Sequence, residues 1–174
     1  MRVYRFPHRI TALAICLFVF GCGGDPASSG PVAALMTRSD AATASWSKLN
    51  WWYGEAIRAL RQIDRRKELD SPEVLTKVRD LQGRLQDVEG WTTELDSTLR
   101  GGAELILQAQ RHFESNRGSS SLDPGELGAL GESIRDSGTG MAAIATVMEL
   151  TRESRRAVIE AVDLTAKSSM GLVP

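Results

Sequence analysis

AATASWSKLNWWYGEAIRALRQI, residues 41–63, decides the fold. Within it Ala42, Trp46, Leu49, Tyr53, Ala56, Leu60 and Ile63 recur at alternating steps of four and three, the spacing by which an α-helix buries one seam. A half-buried strand would need apolar residues at every second position, and the stretch has no such alternation. The spacing predicts a helix over about 35–69. Ser71 then stands as an N-cap before Pro72, whose missing N–H costs nothing at a first helical position.

The second predicted helix covers about 72–116 and carries Val74, Val78, Leu81, Leu85, Val88, Leu95, Leu99, Ile106, Ala109 and Phe113 in the same alternation. Gly101 and Gly102 are its weak point, since each glycine costs about 1 kcal/mol relative to alanine inside a helix. A loop at 117–122 ends in Asp123-Pro124-Gly125-Glu126, where an N-cap Asp and a Glu three residues on spell a capping box. The third helix then covers about 124–168, with Gly138 and Gly140 as places for a bend. Its main stripe is Leu127, Leu130, Ile134, Met141, Ile144, Met148, Val158 and Val162, with Val147, Leu150, Ala157, Ala161 and Leu164 beside it. So wide a face suits a helix with two neighbours.

Short connections between long helices make antiparallel neighbours, so the expected fold is all-α: an elongated up-down-up three-helix bundle over 35–170, with coiled-coil-like packing near 20°. Counting residues from each turn places Trp52, Trp91 and Leu150 in one mid-bundle layer. The same count leaves 107–117 and 123–134 extending beyond the first helix as a bare pair. Phe113, Leu127 and Leu130 are partly uncovered there, as a surface for a ligand, a second subunit or the segment 32–36.

Ahead of the helices, Arg2, Arg5 and Arg9 precede an apolar run from Ile10 to Phe20, shorter than the roughly 20 residues that span a bilayer as a helix. It reads as an export signal over 1–21. Val19-Phe20-Gly21-Cys22 resembles the lipobox of bacterial lipoproteins. That resemblance covers the first 22 residues and implies cleavage between Gly21 and Cys22, a diacylated Cys22 sulfur, and membrane lipid as the first partner. Cys16, preceded by the branched Ile15, fits the pattern less well. Left uncleaved, the segment is instead a single-span anchor, and the rest of the chain stands on the same extracytoplasmic side. In the enterobacterial members an Asp after the cysteine retains the protein at the inner membrane; Gly23 is not Asp, which favours the outer membrane, facing the periplasm. Residues 22–34, rich in Gly, Ser and Pro, are the expected tether, reaching at most about 40 Å, and 171–174 are a tail.

Loss of residues 1–21 removes three arginines and leaves 18 basic against 22 acidic side chains, so the net charge moves from −1 to −4. No clustered positive charge remains to displace the counterions of a nucleic acid, which is therefore not an expected partner. With Cys22 lipidated, no thiol remains for a disulfide.

Catalytic sets are missing. His112 is the only histidine of the mature chain and reads as a surface or half-buried residue, and no Glu-x-x-His pair of the di-iron bundle type occurs. Glu149 and Glu153 lie among Arg152, Arg155 and Arg156 and read as a solvated, ion-paired face. The cluster Arg61, Arg65, Arg66 and Lys67 suits the negative end of a helix. Trp51 shares its face with Ser47, Lys48, Glu55 and Arg58, so it projects off the seam, and exposed tryptophans are enriched at recognition sites. No enzyme, metal or cofactor is expected. The expected function is that of a lipid-anchored interaction or structural module of the cell envelope, with an envelope protein or a second copy as partner. The alternative is a sensing or carrier bundle for a small apolar molecule at Phe113, Leu127 and Leu130.

Overall fold

The structure of the chain, a computed structural model, describes residues 30–66, 71–117 and 123–171. Among them it has five α-helices and no strand: α1 (Pro31–Arg66), α2 (Pro72–Gly83), α3 (Leu85–Arg117), α4 (Pro124–Leu150) and α5 (Arg152–Ser169). The all-α expectation is met, and the helices pack as a bundle. Gly21, Cys22, the leader and residues 172–174 lie outside the described residues, as does the end of the first expected helix. None of the described helices is long and apolar enough to cross a membrane.

Helix α1 starts four residues earlier than expected, because Pro31 is already set for a first turn. Gly30 holds φ +133 before it, and Ala34 N–H donates to Gly30 O at 3.1 Å. Val32 and Leu35 are buried, so 31–34 belong to the bundle and not to the tether. At α4 both halves of the capping box form: Asp123 Oδ1 accepts from Gly125 N–H at 2.6 Å and Glu126 N–H at 3.0 Å, and Asp123 N–H donates to Glu126 Oε2 at 3.0 Å. Ser71 is the N-cap of α2 but makes no side-chain cap bond, so the turn rests on Pro72 and on Leu75 N–H donating to Ser71 O at 3.1 Å.

The second and third expected helices are each divided at a residue other than the glycines. At Arg84 (φ −93, ψ 3) the ladder tightens, with the Arg84 N–H reaching Leu81 O at 3.3 Å before Val88 N–H resumes to Arg84 O at 3.0 Å. At Thr151 (φ −103, ψ 4) the bonds Thr151 N–H to Val147 O and Arg155 N–H to Thr151 O persist at 3.0 and 2.9 Å, so the chain bends there without uncoiling. Gly101, Gly102, Gly138 and Gly140 stay helical. Their small size is used for close approach: a Cβ on Gly102 would stand 2.9 Å from Met141 Sδ, one on Gly101 would overlap the Arg38 guanidinium, and one on Gly138 would stand 3.4 Å from Ile106 Cδ1. The packing gained there offsets the glycine penalty.

Helix α1 is the centre of the bundle and touches all four others, α3 most extensively. Arg38 donates to Thr98 O of α3 at 3.4 Å, Ser39 faces Gly140 of α4, and further along Glu55 pairs with Lys77 of α2 at 2.7 Å. The predicted seam holds: Ala42, Leu49, Tyr53 and Ala56 are buried, and Trp46, Leu60 and Ile63 pack against the core half-buried. Each large side chain so covered contributes about 1.5–3 kcal/mol. Helices α3 and α5 do not pack appreciably on each other, which leaves a space between them.

Candidate functional surfaces

Trp51, Trp52 and Tyr53 are consecutive on α1, so their rings leave the helix about 100° apart. Trp52 goes inward: it is 0 % exposed, stands edge-on to Tyr53 with ring centroids 5.0 Å apart, and its buried indole N–H has no hydrogen-bond partner among the described residues. Trp51 projects outward as expected, 52 % exposed, and the Arg84 guanidinium lies 5.9 Å from its ring centroid. On the other side the Arg155 guanidinium lies 5.9 Å from the Tyr53 ring centroid. Both helix breaks therefore fall at the level of these rings, and an arginine at or near each break covers one of them.

This arrangement corrects the predicted layer. Trp52 is in it and Trp91 packs half-buried against the core, but Leu150 is 79 % exposed. Leu150, two residues on from Met148, lies about 200° around the helix from it and faces outward, while Met148 takes the buried place. Arg155 follows Met148 by seven residues. Its Nη2 donates to Met148 O at 2.5 Å and its Nε to Thr151 Oγ1 at 3.2 Å, which supplies a side-chain donor at the break. The sequence carries a signal for this: Met141, Met148, Arg155 and Val162 repeat at steps of seven, so Arg155 holds a core register and not the solvated face assigned to it. Its neighbours behave as expected, with Arg152 bonded to Glu149 at 2.6 Å and Arg156 to Glu160 at 2.8 Å.

Between α3 and the α4–α5 junction lies an open trough of about 710 Å³. Tyr53, Leu85, Val88, Leu99, Met148 and Ile159 give it apolar surface, and seven charged side chains line it, among them Glu89, Asp96, Arg100 and Arg155. Burial pushes the Tyr53 phenol above its usual range, partly opposed by the charge of Arg155. Elsewhere the Lys77 ammonium bonded to Glu55, and the Lys167 ammonium with the Gln82 amide on Asp163, hold those two carboxyls below the usual carboxylate range.

The end assigned to a ligand is partly uncovered, with Leu107 53 % exposed. Phe113, Leu127 and Leu130 are half-buried, with the Phe113 ring against Gly131, and none of the three lines the trough. A further uncovered apolar surface lies on α4 and α5. Gly140, Ala143, Val147, Leu150, Ser154, Ala157, Ala161, Leu164 and Ser168 follow one another at strict steps of three and four without a single charge. Val147, Leu150 and Leu164 are 39, 79 and 56 % exposed along it. Half of this ridge was legible as the second stripe of the third helix; that it lacks a neighbour was not.

His112 is half-buried, its Nε2 3.0 Å from Asn116 Nδ2, and among the described residues no three His, Cys, Asp or Glu side chains stand together as a metal site. No protein-family model, curated protein or solved structure matches the chain.

Proposed function

We propose that the chain is a lipoprotein of the bacterial cell envelope, cleaved behind Gly21 and held by acylated Cys22, whose helical domain is a non-enzymatic interaction or structural module. In this reading the five helices work as three antiparallel rods: α1, then α2 with α3, then α4 with α5. The single-residue divisions at Arg84 and Thr151, and the helical bonds that persist beside them, support that grouping. Gly23 in place of Asp favours the outer membrane, with the domain facing the periplasm.

The observation that carries the reading is the uncharged ridge on α4 and α5 with Leu150 at its most open point. Strict steps of three and four are what a second helix needs to lay its own seam on the first. Glu153 stands on one edge of the ridge, beside the Glu160–Arg156 pair, so the fitting occupant is a partner helix with a lysine or arginine on its flank opposite Glu153. A second copy of this chain fits less well, because the ridge would meet its own acidic edge. Trp51, capped by Arg84, is a secondary contact point. The carrier reading as expected, with its molecule at Phe113, Leu127 and Leu130, finds no support, because none of the three lines the trough.

The test is made in the cells that produce the protein. Cys22→Ser should abolish acylation and leave the leader uncleaved, seen as a heavier chain, and mass spectrometry should find an acylated N-terminal cysteine in the parent. A photo-crosslinking residue at Leu150 or Leu164 should give a discrete heavier product, and one at the equally open Leu107 on α3 should not. An unmodified sulfur overturns the anchor; absence of a product at both ridge positions overturns the module.

A further inference from the structure

Arg155 is a half-buried cation that ion-pairs with no carboxylate among the described residues. What holds its guanidinium is neutral: the Met148 carbonyl, the Thr151 hydroxyl and the Tyr53 ring. A charge withdrawn from water without an opposite charge is costly, and an apolar residue in the register of Met141, Met148 and Val162 would avoid that cost. The guanidinium instead lines a trough of about 710 Å³, within the size range of sites that hold small organic molecules.

We propose that this trough binds an amphipathic organic monoanion, an acyl-type chain ending in one carboxylate or phosphodiester, with the head on Arg155 and the apolar body along Leu85, Val88, Leu99, Met148 and Ile159. The other charges define the selectivity. Arg152 and Arg156 are already neutralised by Glu149 and Glu160, so neither competes for the head. Glu89 and Asp96 stand on the α3 wall opposite and repel negative charge on the distal part of the ligand, and Arg100 beside them is a second cation of the lining. A neutral chain of equal length lacks the group that Arg155 needs. This site is independent of the ridge on the outer side of α4 and α5, and its failure would leave the interaction reading untouched.

The full chain in nanodiscs of zwitterionic lipid is titrated with decanoate labelled with carbon-13 at its carboxyl, following the carboxyl shift and subtracting empty nanodiscs. Saturable binding of one decanoate per chain is expected, at least tenfold weaker in Arg155→Gln and within threefold of the parent in Arg152→Gln. Ala145→Phe, which fills the trough from an exposed wall position, should abolish it while leaving the helical circular dichroism unchanged; it decides the matter if Arg155→Gln does not fold. Decyl methyl phosphate, a monoanionic diester, in the same titration separates the sources: tighter binding than decanoate assigns a single-chain phospholipid, weaker binding a free fatty acid. The proposal is overturned by uptake that does not saturate beyond empty nanodiscs, by decanol binding as well as decanoate, or by Ala145→Phe binding as the parent does.

Discussion

Where α3 meets α4, glycines receive large side chains: Met141 lies on Gly102, Ile106 on Gly138 and Phe113 on Gly131. Where α2 meets α5, the contact is tied by polar groups: Arg79 donates to Ser169 Oγ and O at 3.3 and 3.1 Å, and Gln82 donates to Asp163 Oδ1 at 3.2 Å. The Glu55–Lys77 pair adds a tie between α1 and α2. One half of the bundle is thus held by close approach, which is insensitive to pH and salt. The other adds to its buried Val78, Leu81, Val162 and Ala166 a set of ties that include groups whose charge state matters. Trp52 and its two neighbouring rings stand at the junction, and both helix divisions occur there.

The sharpest way to break both halves at once is Trp52→Ala. Removal of a fully buried indole should cost about 3–5 kcal/mol and lower the midpoint of a urea melt accordingly. Trp52→Phe should cost much less than its volume alone suggests, because the indole N–H it removes has no partner to lose.

Gly102→Leu attacks the close-packed half alone and should cost about 1–3 kcal/mol through overpacking against Met141. Gly102→Ala meets only the flexible end of that methionine, and its helix propensity gain should keep it within about 1 kcal/mol of the parent. Hydrogen exchange should show the Gly102→Leu loss first in α3 and α4.

Acid attacks the other half. Glu55 and Asp163 are held below the usual carboxylate range when folded, so their contribution is present above the pKa of the unfolded chain and is lost as pH falls through their folded values. Amide exchange in α2 and α5 should therefore accelerate on acidification before that in α3 and α4, and Asp163→Asn should flatten the difference. Alkali acts through Tyr53, whose folded value is raised by burial. Its contribution is complete below the pH at which a free phenol ionises, about 10, and is lost as pH rises through the folded value. Tyr53→Phe should remove that alkaline loss.

The smallest effect belongs to the ridge. Leu150→Glu should change stability by less than about 0.5 kcal/mol in a thermal melt, whereas Met148→Glu, two residues away, should unfold the α4–α5 region. That contrast measures how completely the helix period separates residues two apart into core and surface.

Local rules carried much of the architecture. The α1 seam, the Asp123 capping box and the Pro72 start are all readable because each involves residues within one or two turns of each other. The level of Trp52 was also readable, since helix rise is constant. Leu150 was misplaced because counting from a turn gives a level along the bundle and not a face: it lies two residues from buried Met148, on the opposite side of the helix. The Arg155 register was readable at steps of seven but hidden by its charge, which by itself points to solvent.

The chain alone determines that it is helical and where most seams lie, because these depend on spacing along the backbone. Only the packed structure decides that the glycines are contact points and not breaks, that Arg155 turns inward onto Tyr53, and that α3 and α5 stay apart around a trough. Those outcomes depend on which bulky side chains meet at one level, a property of three dimensions that no local spacing contains.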